Sequence, residues 1–440
     1  MKAINILFSI SALLFSAAVS CSSDIKSGAQ TRPEIKPEGE SGEKKGEVLS
    51  PWTKGELDIH FINTGRGEST FLIFPDGTSL LVDMAGSTLR NEDSGGKYPM
   101  PAKPNPATSS AEAIVSYINH FMEENENGRG HIDYALLSHY HEDHMGTYRP
   151  ELPSGGDGSF KLTSLCEIGT RLPYRHYLDR CYPKYDYPKA MTADKFKNIK
   201  AFVEWSVKNN GTVAEAMDAG SSDQITLQYD RTSYPEFKVQ NLSANGRFWS
   251  GSGVSSNQEI PISFEESSQI PDENAFSCAF KLSYGKFDFY TGGDHQFNGR
   301  STYPYFDSEA PMAKVIGRVD VAKGNHHGTK NTNSAEFMAA IRPSVWINHV
   351  WRDVQPNPAT LENVLSANPE CMIFLTNLSS ENETKNGKKF SAEAKKAMRC
   401  TQGHYVVRVC EGGDSYFVYA LDDSDMKYVI KDVYGPFNSK

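Results

Sequence analysis

Six consecutive positions, His139-Tyr140-His141-Glu142-Asp143-His144, crowd together four side chains suited to binding metal. Histidine makes up only 12 of the 440 residues, so three in six positions is a concentration that a merely solvated loop has no chemical reason to show. Imidazole and carboxylate are the ligands that catalytic zinc takes. His139 and His141 stand two apart, which on an extended segment puts both rings on one side, toward one cation. Asp143 and His144 turn toward a second. Ions held in this way supply Lewis acidity and lower the pKa of bound water.

For these side chains to converge, the motif must stand where a strand ends and regular pairing is left behind. Ile132 to Ser138 reads as that strand. Upstream, Leu57 to Ile62, Thr70 to Phe74 and Ser79 to Val82 read as a three-stranded meander ending on Asp83, with a hairpin turn at Pro75-Asp76-Gly77-Thr78. Ser109 with Glu112 is a capping-box signal, and Ile114, Ile118, Phe121 and Met122 then share one helical face. Downstream, the sequence predicts a helix from Asp194 to Lys208 stopped by Gly211, a strand from Phe237 to Leu242, and a hairpin of Cys278 to Tyr284 with Phe287 to Thr291. A strand from Val345 to Asn348, a helix near Thr360 to Ser366, a strand from Met372 to Asn377 and a closing hairpin, Tyr405 to Cys410 with Ser415 to Leu421, complete an α/β pattern.

Apolar residues are 38% and aromatics 11% of the chain, which excludes a wholly disordered protein. The net charge of -10 disfavours a dedicated nucleic-acid binder, because the field as a whole repels polyanions. Residues 1–20 read as an export signal: Lys2, an apolar run from Ala3 to Val19 too short to span a bilayer, then Ala18-Val19-Ser20-Cys21. That last tetrapeptide resembles the lipobox of bacterial lipoproteins, which makes Cys21 the expected lipid anchor and leaves a mature charge of -11 once Lys2 is removed. Ser22 to Ser50 has no aromatic residue and reads as a flexible stalk. The expected organisation is a signal peptide (1–20), an anchor and linker (21–51) and one domain (52–440). Six further cysteines permit disulfides, Cys166 with Cys181 and Cys400 with Cys410 being the most local options, and the sequence does not choose among pairings.

The histidine motif resembles the signature of the metallo-β-lactamase superfamily. Asp58-Ile59-His60-Phe61-Ile62-Asn63-Thr64-Gly65-Arg66-Gly67-Glu68-Ser69-Thr70, Leu81-Val82-Asp83 and Asn325-His326-His327-Gly328-Thr329-Lys330 are similar to segments of its ComEC-type branch, and the likeness runs from about Leu57 to Asn377. The resemblance implies a four-layer αββα sandwich with a site for two metal ions at one edge of the sheets. Zinc is the expected metal, with two ions or one, and manganese is the alternative. It implies that His139, His141, Asp143 and His144 are ligands. Asp294 would bridge two cations, and Asp83 would orient the motif loop from behind. One of His326 and His327 would bind metal while the other contacts substrate or serves as an acid. His295 would support the site without binding metal, and Asp143, His326 and His327 carry the catalytic expectation.

Two departures from the family pattern stand out. The strand from Phe237 to Leu242 leads into Ser243-Ala244-Asn245-Gly246, where many members have a third histidine for the first metal; Asn245 and His176 are the replacements considered. Gln355-Pro356-Asn357-Pro358 stands where the branch often has His-Pro. Tyr174, His176, Tyr177, Tyr182, Tyr185 and Tyr187, then Tyr303, Tyr305 and Phe306, could line a substrate pocket or simply pack on one another; His349 and Trp351 are pocket-edge candidates. The expected activity is metal-dependent hydrolysis of a phosphodiester in an envelope polymer or small molecule. The alternatives are an amide or lactone hydrolase and a surface binding protein with a vestigial site. The membrane is expected as a partner only through the anchor, on the periplasmic or cell-surface side, with no protein partner.

Overall fold

A computed structural model describes residues 43–86, 96–297 and 302–440. It contains two mixed sheets of nine strands each. In the first, the strand order is Ile430–Asn438, Ser415–Leu421, His404–Val409, Leu57–Phe61, Thr70–Ile73, Ser79–Val82, Ile132–Leu136, Tyr174–Asp179, Val213–Ala216. The second runs Ser256–Gln258, Arg247–Trp249, Phe237–Ala244, Ala279–Tyr284, Phe287–Thr291, Val321–Lys323, Val345–Asn348, Met372–Leu375, Met398–Cys400.

Each sheet changes character partway across. Ser79–Val82 pairs antiparallel with Thr70–Ile73 but parallel with Ile132–Leu136. Phe287–Thr291 likewise pairs antiparallel with Ala279–Tyr284 and parallel with Val321–Lys323. Antiparallel neighbours need only tight turns, whereas parallel ones need crossovers. Helices Ser110–Phe121 and Ser164–Arg171 supply two of these on the first sheet, and Ala335–Ile341 and Pro358–Ala367 supply two on the second.

Strand alternation divides the apolar residues among three cores. Phe71 and Ile73 turn to a core shared with Ile114, Ile118 and Phe121, while Leu72 and Phe74 turn to one shared with Phe280, Leu282 and Phe289 of the other sheet. A third core joins Leu242, Tyr290 and Trp346 to Met338, Leu361 and Val364. Ser109 caps its helix as expected, its side chain accepting from the Glu112 amide at 3.0 Å.

Several expectations change. The signal peptide and Cys21 lie outside the described residues, but the end of the expected linker belongs to the fold. Val48 pairs with Val429, Leu49 is fully buried and Glu43 meets Arg408 at 3.3 Å, because these few apolar and charged side chains find partners on the first sheet. All six described cysteines are unpaired. Tyr174 and Tyr177 do not line a pocket; they sit on a strand with 1% of their surface exposed, and His176 stacks on Tyr134 at 4.8 Å. Tyr182, Tyr185 and Tyr187 pack against the same helix-side core. Tyr303, Tyr305 and Phe306 stack on one another, with centroids 5.5 to 5.8 Å apart. Among the described residues, no helix is long and apolar enough to cross a membrane.

Candidate metal centre

The carboxyl ends of the strands at both changes of character carry the candidate ligands. Asp83 follows Val82, and Ser138 and His139 follow Ile132–Leu136; Asp294 follows Thr291, and His326 and His327 follow Val321–Lys323. Such switch points open a crevice at the strand ends in which side chains from neighbouring strands meet. Close approach of the loops requires glycine. A Cβ on Gly67, at φ +112°, would lie 2.1 Å from the Asp143 carbonyl oxygen, and one on Gly293, at φ +51°, would lie 2.8 Å from Ser138 Oγ.

Asp83 is the fixed point of the histidine motif. It is buried and holds φ at 59°, a conformation that side-chain-bearing residues seldom adopt without a reason. Its carboxylate accepts from the Ser138 amide at 2.8 Å, the Ser138 hydroxyl at 2.7 Å and His144 Nδ1 at 2.8 Å. The Ser138 hydroxyl, donating to Asp83, accepts a hydrogen bond from His139 Nδ1 at 3.0 Å. Asp83 thereby fixes the Nδ1 protons of both rings and turns Nε2 of His139 and of His144 toward the cluster. His327 is set in the same way by a different acceptor: its Nδ1 donates to the His349 carbonyl at 3.2 Å.

The free atoms converge. His327 Nε2 lies 3.1 Å from Asp143 Oδ2 and 3.6 Å from Asp294 Oδ2, and His144 Nε2 lies 3.3 Å from Asp294 Oδ2 and 3.9 Å from Asp143 Oδ2. Ligands about 2.0 Å from a tetrahedral ion are separated by about 3.3 Å, and these four contacts fall around that value. His139 Nε2 and His141 Nδ1 are 3.0 Å apart, with His139 Nε2 3.8 Å from the same Asp294 oxygen. Asp294 Oδ2 thus stands 3.3 to 3.8 Å from Nε2 of His139, His144, His326 and His327. Asp294 Oδ1 and His144 Nε2 are buried without any hydrogen-bond partner, the mark of atoms meant for a ligand.

The electrostatics also call for positive charge. Burial opposes ionisation of Asp143 and Asp294, yet the surrounding imidazoles hold both well below the ordinary carboxylate range. Burial likewise opposes a charged His144, but Asp294, Asp83 and Asp143 together raise it well above the ordinary imidazole value. Burial, with His144 next to it, drives His139 the other way, toward the neutral form that ligates metal. The residues present therefore fit a metal: the carboxylates draw cationic charge onto His144 and His327, a charge that an ion would supply in place of those protons, and His139 offers a neutral ring.

His326 differs from His327. Its side chain is 23% exposed against 1%, and its Nδ1 accepts from the Asn274 amide at 3.1 Å. A neutral His326 then carries its proton on Nε2, facing Asp294 at the mouth of the cluster. Burial lowers its pKa to about 4. His326 and His327 are both left-handed, at φ 44° and 53°. The loop is held by buried Glu309, which accepts from Asn325 Nδ2 at 2.9 Å and from the amides of Asn333 and Ser334 at 2.7 Å.

The candidates for the missing histidine are engaged elsewhere. Asn245 Oδ1 accepts from Arg180, itself bound to Glu273 at 2.7 Å, and His176 lies in the sheet. Ser243 Oγ meets His295 Nε2 at 2.6 Å, while His295 Nδ1 is buried without a hydrogen-bond partner. Asn357 caps Pro358–Ala367, accepting from Ala359 N at 3.1 Å. His349 packs on Phe61 and lends its carbonyl to His327, and Trp351 approaches the His327 ring at 6.4 Å. Sequence reasoning missed Ser138, Glu309, Asn274 and the buried pair Glu68–Lys323. A lysine inside the apolar strand Val321–Lys323 was the signal available for the pair, since a fully buried lysine needs a partner.

Two cavities flank the centre. One of about 520 Å³ is walled by Met191, Phe196, Ile270, Glu273 and Phe276, and Glu273 accepts from the Tyr140 amide between His139 and His141. The other, about 500 Å³, includes Tyr98, Met100, Thr147 and Ser164, close to the end of the histidine motif.

No family profile and no curated protein matches the chain. Among solved structures, a protein provisionally assigned as a metal-dependent hydrolase from Parabacteroides distasonis aligns over 75% of this chain and 97% of its own, with 14% identity and a TM-score of 0.33. A metallo hydrolase from the archaeon Ignicoccus hospitalis covers 71% and 91% at 10% identity and 0.33. An isothiocyanate hydrolase from Delia radicum gut bacteria covers 76% and 92% at 10% and 0.34.

Proposed function

We propose that this protein is a metal-dependent hydrolase of the metallo-β-lactamase fold, with its two sheets and outer helices as the four αββα layers, acting on a phosphodiester. The observation that carries the hydrolase reading is the single Asp294 oxygen set among four imidazole nitrogens with its other oxygen buried and unpartnered. Asp143, His144, His327 and Asp294 would hold one ion, and His139, His141 and Asp294 a second, zinc being the metal that suits this mixture of nitrogen and oxygen donors. Such ions supply Lewis acidity and lower the pKa of water. Asp83 and Ser138 keep the ligand rings in the required tautomer. His326 presents an Nε2 proton at the mouth, placed to meet a developing negative charge or a leaving group. Preference for a phosphodiester rests on the ComEC-type resemblance of the sequence.

The test is elemental analysis after zinc or manganese reconstitution, followed by chromogenic phosphodiesters, β-lactams and lactones with wild type and Asp294→Ala. One to two ions per chain and Asp294-dependent turnover of the phosphodiesters are expected. Absence of bound metal removes the hydrolase reading, and turnover confined to lactams or lactones replaces the substrate class. We further propose export and anchoring through a lipidated Cys21, supported by Lys2, the apolar run and the lipobox-like tetrapeptide. Mass spectrometry should find an acylated Cys21 as the mature first residue; an unmodified chain starting elsewhere rejects the anchor.

A further inference from the structure

Beside the centre lies a further buried carboxylate within reach of the donor cluster, with one oxygen lacking a hydrogen bond. Glu68, His144, Asp294 and His327 each offer an atom within 4.8 Å of the others, and all four are buried. Asp143 is the better fourth ligand on two grounds. Its Oδ2 lies 3.1 Å from His327 Nε2, while Glu68 comes no nearer to that ring than 3.7 Å, on the Nδ1 side. The second ground is Lys323. Its ammonium sits 2.8 and 2.9 Å from the two oxygens of Glu68 and donates at 2.7 Å to the carbonyl of Gly293, the residue before Asp294. Lysine and glutamate side chains are 0% and 1% exposed, so neither has water as an alternative partner.

Glu68 does not do for His327 what Asp83 does for His144. Asp83 meets its ring at 2.8 Å, whereas His327 Nδ1 is satisfied by the His349 carbonyl at 3.2 Å. Burial pushes the Glu68 carboxyl up, and Lys323 is the first of the neighbours that oppose this. A buried carboxylate without its cation would seek another.

We propose that Lys323 is a positioning residue that withholds Glu68 from the metal shell. By donating to Glu68 Oε2 and to the backbone before Asp294, with its charge 2.8 Å from Oε1, it keeps Glu68 from joining Asp143, His144, His327 and Asp294 as a fifth protein donor on the buried ion. The device rests on the metal-site reading above, and its chemistry concerns only coordination: removal of Lys323 frees an anionic oxygen already inside the reach of the cluster.

The experiment is cobalt(II) substitution of the full chain, reading the intensity and position of the visible d–d bands, which fall in intensity as coordination rises from four to five. Lys323→Met should show lower d–d intensity than wild type, and Lys323→Met with Glu68→Gln should restore the wild-type spectrum. Glu68→Gln alone should keep the wild-type spectrum and metal stoichiometry, because Glu68 is not a ligand when Lys323 is present. A Lys323→Met spectrum identical to wild type overturns the proposal, as does a change that persists in the double variant. If Lys323→Met does not fold, Glu68→Gln still decides: altered bands or a lost ion would make Glu68 a ligand in the wild type and end the idea. Failure of the wild type to bind cobalt would instead remove the metal-site reading itself.

Discussion

The two halves of the donor cluster are furnished unequally. Around Asp143, His144 and His327 the ligand atoms are closely spaced, and both rings have their Nδ1 protons taken by fixed acceptors, Asp83 and the His349 carbonyl. Around His139 and His141 the described residues gather two rings and the shared Asp294, with the more exposed His326 at 3.7 Å on the same Asp294 oxygen, and His141 is half-buried. Four protein donors hold an ion in place by themselves; three leave coordination to be completed by water or substrate. On the proposed metal-site reading, the difference would give retention of metal to the buried half and adaptability to the open half.

Single ligand removals give the sharpest test of this inequality. His144→Ala should weaken zinc binding in the buried half by more than the roughly 10–100-fold typical of losing a supporting residue, because a ligand itself is gone. His141→Ala should release the open-half ion and leave one ion per chain. Chelator competition with elemental analysis separates the two. If His141→Ala strips both ions, or His144→Ala retains a tight ion at wild-type affinity, the division of labour is wrong.

Next in size are the residues behind the ligands. Asp83 serves His144 directly and His139 through Ser138, so Asp83→Ala should cost about 10–100-fold in zinc affinity in both halves. Ser138→Ala removes only the relay to His139. It should cost about 1 kcal/mol, confined to the open half. Equal losses from the two variants would show that the relay, not the direct contact, positions both rings.

The residues of the donor cluster are legible in the sequence and their surroundings much less so. His139 to His144 are neighbours along the chain, so local spacing alone exposes them, and Asp294 announces itself by two glycines at a strand end. The meander from Leu57 to Val82 and both expected hairpins are present, since strand alternation and turn residues are local signals. Val321–Lys323 and Tyr174–Asp179 escaped because a short buried strand flanked by other strands shows no useful period. Tyr174 and Tyr177 looked like pocket aromatics for the same reason: rings with polar tips suit a core strand as well as a binding surface. Glu68 with Lys323 and Glu309 with Asn325 and Asn333 join residues far apart in sequence, and nothing in local composition ties such partners together.

The smallest expected effect on the metal, and the last test of the comparison, concerns how each loop is held. Glu309 supports the His326–His327 loop from farther away than Asp83 supports the histidine motif, through Asn325 and Asn333. Burial raises its carboxyl to about 7 against the opposing donors Asn325, Ser334 and Asn333. Because the folded pKa lies above the unfolded value of 4.5, the folded state binds the extra proton between them, so stability falls as pH rises through that window and levels off above it. The difference amounts to roughly 3 kcal/mol across the window. Asp320, raised by burial to about 6, tilts stability in the same direction, so the comparison must be wild type against Glu309→Gln. Denaturant unfolding of the metal-free proteins between pH 4.5 and 7.5 should give a shallower slope for Glu309→Gln, while zinc stoichiometry at pH 7 stays that of the wild type. An unchanged slope would mean that Glu309 titrates as an ordinary carboxylate; a lost ion would mean that this loop's support is as direct as that of Asp83, and the two halves of the centre would then depend equally on the carboxylates behind them.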